Sequence, residues 1–489
     1  MREFEISIFI KIGEYKMASE EMRDKIELFE RMPIPQAVAK LSIPMIIGSL
    51  VTIVYNLADT FFVGMLNDPI QNAGVTLAAP VMLAFNAFNN LFGVGSSSMM
   101  SRAMGRRDYE TVYKSSSFAF WCALVCAVIF AAVCTIFQAP LLQLLGSNET
   151  TIQATADYMF WTVTCGAVPS ILNVVLGYMV RSEGASLHAS IGTMSGCILN
   201  IILDPIFILP WGLNMGAAGA GCATFIANCV ACVYFFILLY VKRKSTLVCI
   251  SPKKFTLEGP IVGGIFAVGI PACIQNLLNV VGMTILNNKM ASYGADPVAA
   301  MGIVQKINMI PLQMVLGASQ GIMPLVSYNY ASRNQKRMKD AYMFAIKVAM
   351  VFCIAVVALY YLAATPLVGL FMNNQVVVDI GAKLLRGFCI GLPFLCIDFI
   401  TVGVFQSVGL GKNALFFAIA RKILLEIPAI FVLDSLFPLY GLAYTQFVAE
   451  FVLAILALVV VIRLFKRLES DLGEKTSSGF EKIDSCFII

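Results

Sequence analysis

Two carboxylates set in apolar sequence carry most of the chemistry this chain can do. Asp59 lies in LSIPMIIGSLVTIVYNLADTFF, which starts at Leu41, and Asp204 lies in ILNIILDPIFIL. Ser49, Thr52, Asn56 and Asp59 recur at i, i+3, i+7 and i+10, which gathers them on one face of a helix. Asn200 and Asp204 are four apart and share a face of another. Pro205 cannot donate to the Ile201 carbonyl, so a kink and a free backbone oxygen are expected there. Two carboxylates, an amide oxygen and a free carbonyl describe a site for a hard monovalent cation such as Na+, at Asp59, Asn200 and Asp204. They describe a proton site equally well, because a desolvated carboxylate beside another gains by taking up a proton. Structural readings compete with both: Asp59 as a carboxylate wetted near the lipid headgroups, and Asn200 with Asp204 as a hydrogen-bonded clasp between helices.

Other polar groups are scattered more thinly. Gln275, Asn279 and Asn287 form a second stripe at helical spacing, placed to line a central cleft together with Tyr55 and Asn56. Asp398 and Glu426 are further cleft candidates, although Glu426 is equally placed to pair with Arg421 or Lys422. Lys306, Lys347 and Glu450 fit structural pairs or cavity caps. The 24 Met and the Phe85/Phe88/Phe92 face suit an adaptable apolar surface, but such faces more often pack cores. His188, the single histidine, falls at a turn, which excludes a histidine proton relay or zinc site. Most of the 14 Cys sit in apolar windows as small apolar residues, so neither metal nor disulfide is implied. No Walker A signature occurs, so any uphill work draws on an ion gradient, with no cofactor beyond H+ or Na+. Catalysis would need reactive groups clustered at one depth, and these acids are dispersed.

The elements that must position these groups are membrane helices. Hydrophobic residues make up 59% of the chain and charged residues 13%, against about 25% charged in soluble domains. Twelve windows between 41 and 464 are apolar for about 20 residues, long enough to cross a bilayer, and their continuity excludes a β-barrel. Counting about 1.5 Å per residue from Leu41 puts Asp59 roughly 27 Å along the first helix, in the outer half of the membrane. The windows form two copies of a six-span pattern. At an offset of 227, Pro44 meets Pro271 and Gly105-Arg106 meets Ser332-Arg333. Pro140 then meets Pro366, Arg181-Ser182-Glu183-Gly184 meets Gln406-Ser407-Val408-Gly409, and Pro205 meets Pro428. Transporters place their substrate path between such repeats. The segments are therefore 1–40, a cytoplasmic N-terminal stretch; 41–240, the first lobe; 241–260, a basic linker; 261–465, the second lobe; and 466–489, a polar tail. Met17 is as good a start as Met1. Lys and Arg cluster after the second, sixth and eighth windows, and the loops on the opposite side carry none, which places both termini in the cytoplasm. The net charge of +5 is then a topology signal, not one for nucleic acid.

The run YNLADTFFVG at 55–64, Pro44, NxxxDP at 200–205, the duplicated halves and RSEG after the fourth window resemble the multidrug and toxic compound extrusion (MATE) family, and within it the bacterial MepA-like branch. The likeness spans Met32 to Lys466. It implies an all-α integral membrane fold of twelve helices in two pseudo-symmetric six-helix lobes around a V-shaped cleft. It implies a monomeric plasma-membrane antiporter that exports amphiphilic, often cationic drugs in exchange for H+ or Na+. By the same likeness the coupling residues are Asp59, Asn200, Asp204 and Thr224, and Pro44 joins Pro205 as a helix-bending position. Where norfloxacin-exporting relatives carry a glutamate eight residues after the seventh-span proline, this chain has Asn279, so a second-lobe cation site is not expected. A rival reading within the superfamily is a flippase for a lipid-linked oligosaccharide, which would need several basic residues in the cleft.

Overall fold

The computed structural model describes residues 22–66, 68–372 and 374–475, and among these no strand occurs. The start-site question and the tail beyond 475 lie outside the described residues. The first half comprises α1 (Ile34–Gly64), α2 (Pro69–Gly105), α3 (Tyr109–Ile136), α4 (Ile152–Cys165 with Ala167–Ser182), α5 (Ser186–Ile208) and α6 (Gly216–Val241). The second comprises α7 (Gly259–Ala291), α8 (Ala295–Ala331), α9 (Gln335–Leu362), α10 (Gln375–Cys389 with Leu392–Val408), α11 (411–436) and α12 (Tyr440–Leu468). Nine of these, among the described residues, are long and apolar enough to cross a membrane unaided, and α4 and α10 do so as bent pairs. The remaining window, α11, is broken by a π-turn at Ala420–Glu426 that carries Arg421, Lys422 and Glu426. All twelve expected windows are thus helical.

The repeat is visible in the turns. Gly184 and Gly409, 225 apart, both end a helix with left-handed φ of 87° and 84°. Arg107 and Arg333 adopt φ of 60° and 62°, and the next residues, Asp108 and Asn334, cap the following helices through Thr111 N and Arg337 N. This corrects the sequence register at that point by one residue: Arg107, rather than Arg106, is the partner of Arg333, because the left-handed turn and the cap fix the alignment. The Thr111 hydroxyl and amide hold the Asp108 carboxyl below the usual range. Short helices Gln138–Leu144 and Ala364–Gly369 carry the matched Pro140 and Pro366.

The sharp helix breaks do not coincide with Pro44 or Pro205. α1 continues as helix through Pro44, and α5 through Pro205. The breaks of 51° and 47° are at Gly166 in α4 and Gly391 in α10, also 225 apart. Each glycine is followed by a proline within three residues, at Pro169 and Pro393, which cannot complete the helical ladder.

The two halves pack together at the end that bears the basic connections. Ser98 Oγ donates to Gln406 O at 2.6 Å, and Ser42 Oγ to Ala318 O at 3.4 Å. Gly95 and Gly269 let α2 and α7 approach until a side chain at either would strike the carbonyl of Ile265 or Leu91. Toward the other end Asn56, Thr60 and Asn86 of the first half, and Thr284 and Asn287 of the second, are exposed. The cleft therefore opens away from the basic end.

Two segments expected to be peripheral are built in. A helix at 22–30 seals the basic end: Phe29, 1% exposed, stacks on Tyr328 at 4.8 Å, and Lys25 pairs with Glu183 at 2.9 Å. Arg337 donates to Phe29 O at 2.6 Å. The linker lies along the start of α3, where Ser117 Oγ and Trp121 Nε1 donate to Ser251 O and Ile250 O. α12 runs on as helix to Lys475, ten residues past the expected boundary at 465. Cys229 and Cys232, spaced CxxC on α6, are free thiols.

Candidate functional site

Asp204 is fully buried and Asn200 is 2% exposed, one turn apart on α5. In the amide orientation that satisfies every neighbour, Asn200 nitrogen donates to Asp204 Oδ2 at 2.8 Å, and its oxygen accepts from Thr224 Oγ1 at 3.2 Å and Thr224 N at 3.0 Å. Thr224 on α6 is thus tied to the α5 pair. From α1, Asp59 lies close enough to Asp204 for their charges to interact. The difference between the two acids is in their partners. Asp204 accepts the Asn200 amide, whereas Asp59 Oδ1 is sealed from solvent and has no hydrogen-bond partner.

A buried, unpartnered carboxylate oxygen is costly unless something fills it. A proton on Asp59 would relieve it, and so would a cation bridging Asp59, Asp204 and the Asn200 oxygen. The second option is met by the opposite amide orientation, in which the Asn200 nitrogen donates to Thr224 Oγ1 at 3.2 Å and its oxygen faces Asp204, so the site suits either ion. Among the described residues no group of three His, Cys, Asp or Glu is set to hold a metal.

Tyr55, expected on the cleft, sits in this cluster instead. It is one turn from Asp59 on the same face and lies close to Asp59, Asp204 and Thr224. Tyr158 of α4, which sequence reasoning missed, is 7% exposed and close to Asp59, Tyr55 and Asp204. Nothing in its local sequence, DYMF, distinguishes it from a packing aromatic. The polar stripe of α1 divides. Ser49 and Thr52 line an interlobe cavity near the basic end, Asn56 is exposed, and Asp59, itself half-buried, joins the cluster around Asp204.

In the second half Gln275 and Asn279 are half-buried on α7, and Gln406 Nε2 donates to Gln275 Oε1 at 3.4 Å. Asp398, 1% exposed, lies between α10, α11 and α12: Arg421 Nη1 is 3.8 Å from its Oδ2, and the same guanidinium pairs with Glu450. Glu426 pairs with Lys422 Nζ at 2.6 Å along α11. Both acids proposed as cleft contacts are therefore engaged in ion pairs inside the second half. The three-way Asp398–Arg421–Glu450 arrangement was not read from sequence, since its members are 23 and 29 residues apart on different helices.

Comparison with known proteins follows the same outline. The MatE family model matches twice, at residues 44–206 and 271–432, one match per half. The multidrug export protein MepA of Staphylococcus haemolyticus is 32% identical over 450 residues, covering 92% of this chain and 98% of that protein. MepA of Staphylococcus aureus is 30% identical over 452 residues, with the same coverage. Among solved structures, an outward-facing multidrug resistance MATE transporter of the MOP superfamily superposes with a TM-score of 0.84 at 28% identity, covering 91% of this chain and 98% of that one. A MATE structure in complex with MaL6 superposes with a TM-score of 0.85 at 27% identity, covering 91% of this chain and 99% of that one.

Proposed function

This chain belongs to the MatE family of membrane transporters, and on that premise we propose that it is a multidrug exporter. Its cargo is amphiphilic and often cationic small molecules, exchanged for H+ or Na+ by alternating access. The observation that carries the coupling is the unpartnered Oδ1 of Asp59, held beside a second acid that is already satisfied. Such a site binds one positive charge readily and releases it when its walls move.

We take the basic end as cytoplasmic, with both termini on that side of the plasma membrane. The structure then corresponds to the outward-facing state. Protonation of Asp59 removes the charge that α1 must keep near Asp204 and Tyr55, and the first lobe repacks around α1. The cargo loses its contacts and leaves. Rocking of the lobes, after the helix at 22–30 and the Ser42–Ala318 and Ser98–Gln406 contacts part, returns the cleft to the inside. The protein needs no resident cofactor for this and works as a monomer.

The deciding experiment is efflux of a cationic dye from proteoliposomes under an imposed pH gradient and, separately, a Na+ gradient. One of the two drives efflux. If neither does, the antiport reading fails.

A further inference from the structure

Arg181 is 4% exposed at the end of α4, inside a region the helices hold between the two halves. Among the described residues no acid pairs with it: the tyrosine ring of Tyr178 lies 4.2 Å beneath it, and its Nη1 donates to Gln320 Oε1 of α8 at 2.7 Å. The nearby acid in sequence, Glu183, is committed to Lys25, to Thr246 Oγ1 at 3.0 Å and to Leu247 N at 2.7 Å. Arg421, by contrast, has two carboxylates around it. A buried guanidinium without an anion is the exception that calls for an explanation.

It also lines a cavity of about 210 Å³. Ser49, Thr52, Ser190, Thr193, Gln313 and Gln320 supply its polar wall, and Met45, Val174 and Leu316 its apolar one. Ser49 and Gln313 make no hydrogen bond to a described neighbour. The volume is below the ~300–1,000 Å³ usual for drug-sized ligands, so the cavity suits a small aromatic acid or the acidic end of a larger cargo.

We propose that this cavity is a binding subsite for a carboxylate-bearing aromatic cargo, with Arg181 as its counter-charge. The guanidinium forks onto the carboxylate, the ring lies against Met45, Val174 and Tyr178, and the hydroxyls and amides of the wall complete the shell. Because Arg181 also ties α4 to α8 through Gln320, the anion competes with a contact that closes the basic end. The subsite extends the export reading to zwitterionic and acidic compounds and rests on that reading only for calling the ligand cargo.

The test measures binding of 1-naphthoate to the purified full chain in neutral-detergent micelles by calorimetry, with tetraphenylphosphonium as the cationic control. Arg181→Gln should weaken naphthoate by at least about tenfold, the loss of a charged hydrogen-bonded pair. It should leave tetraphenylphosphonium unchanged or tighter. Arg181→Lys keeps the charge without the fork and should lose less, about three- to tenfold. Gln320→Ala, which frees the guanidinium, should bind naphthoate as well as or better than the unaltered protein. The Lys and Gln320 variants decide the matter where Arg181→Gln does not fold. Absence of naphthoate binding to the unaltered protein, equal losses for both probes, or displacement of naphthoate by added phosphatidylglycerol would overturn the assignment to a soluble acid. Binding is read without transport, so its failure is separate from failure of ion-coupled export.

Discussion

Replacing Asp59 by Asn tests how many ions drive each cycle. The site holds two acids; in the amide orientation that satisfies every neighbour Asn200 donates to Asp204, and one solvent-sealed oxygen, Asp59 Oδ1, is left without a partner. One cation per cycle is the stoichiometry this implies. One charge moving inward through 100 mV releases about 2.3 kcal/mol. For an uncharged cargo that supports an outward gradient of about 50-fold, since each factor of ten needs about 1.4 kcal/mol. Two cations would square that limit, to roughly 2,500-fold. Asp59→Asn keeps the shape and the hydrogen-bonding capacity of the side chain but not its charge, so the steady gradient should collapse to unity while the protein still folds. The assay is accumulation of an uncharged fluorescent substrate in proteoliposomes clamped at 100 mV with valinomycin and K+, with folding checked by size exclusion. A variant that still sustains a gradient near 50-fold refutes the role of Asp59. An unaltered protein that exceeds the one-ion limit by orders of magnitude refutes the stoichiometry and returns Asp204 to the coupling path.

Three further outcomes follow from the contacts. Arg421→Met strands Asp398 and Glu450 in the interior without a counter-ion and should cost about 3–5 kcal/mol, seen as loss of monodisperse protein at lower temperature in a heating series. Glu183→Ala removes the acceptor for Lys25, Thr246 and Leu247 N, so the linker should be cut by trypsin at Lys242–Lys244 far faster than in the unaltered protein, with the lobes intact. Asp108→Ala loses a helix cap worth about 1 kcal/mol. Because the folded carboxyl is held below its usual range, that advantage is full above the ordinary carboxylate value of about 3.9 and disappears as pH falls through the lower folded value, which paired melting curves at pH 7 and pH 3 would show.

The twelve helices and their duplication were legible because both are written in long-range composition: apolar windows and prolines or glycines that recur near a fixed offset. The Asp59, Asn200, Asp204 and Thr224 cluster was half legible. Helical spacing puts Asn200 beside Asp204, but nothing local says that α1 and α6 bring Asp59 and Thr224 to the same place. The sharp breaks were not legible from proline alone, because the helices continue through Pro44 and Pro205, whereas Gly166 and Gly391 combine conformational freedom with a proline just beyond. Tyr158, the plug at 22–30 and the Arg421 pairs were illegible for a plainer reason. Each depends on a contact between distant helices made by residue types that occur throughout the chain.

On the proposed antiport reading, the asymmetry of charge between the halves accounts for a single coupling site on a duplicated scaffold. Every acid buried in the second half has a cation beside it: Asp398 and Glu450 share Arg421, Glu426 holds Lys422, and Asp434 holds Lys289 at 2.9 Å. The positions matching Asp59 and Asp204 there are Leu286 and Ile427, which cannot titrate. In the first half neither Asp59 nor Asp204 has a cationic partner among the described residues. A carboxylate with a cation beside it has its charge offset within the helix bundle and serves packing. One left beside another carboxylate is poised between two states and can follow an ion gradient. Transplanting the pairing tests the distinction directly. Thr224→Lys brings an ammonium to the Asn200 and Asp204 wall and should fix the first half as the second is fixed, abolishing ion-driven efflux while leaving dye binding measurable. Efflux that persists at the unaltered rate in that variant would show that the free charge state of these acids is not what the cycle uses.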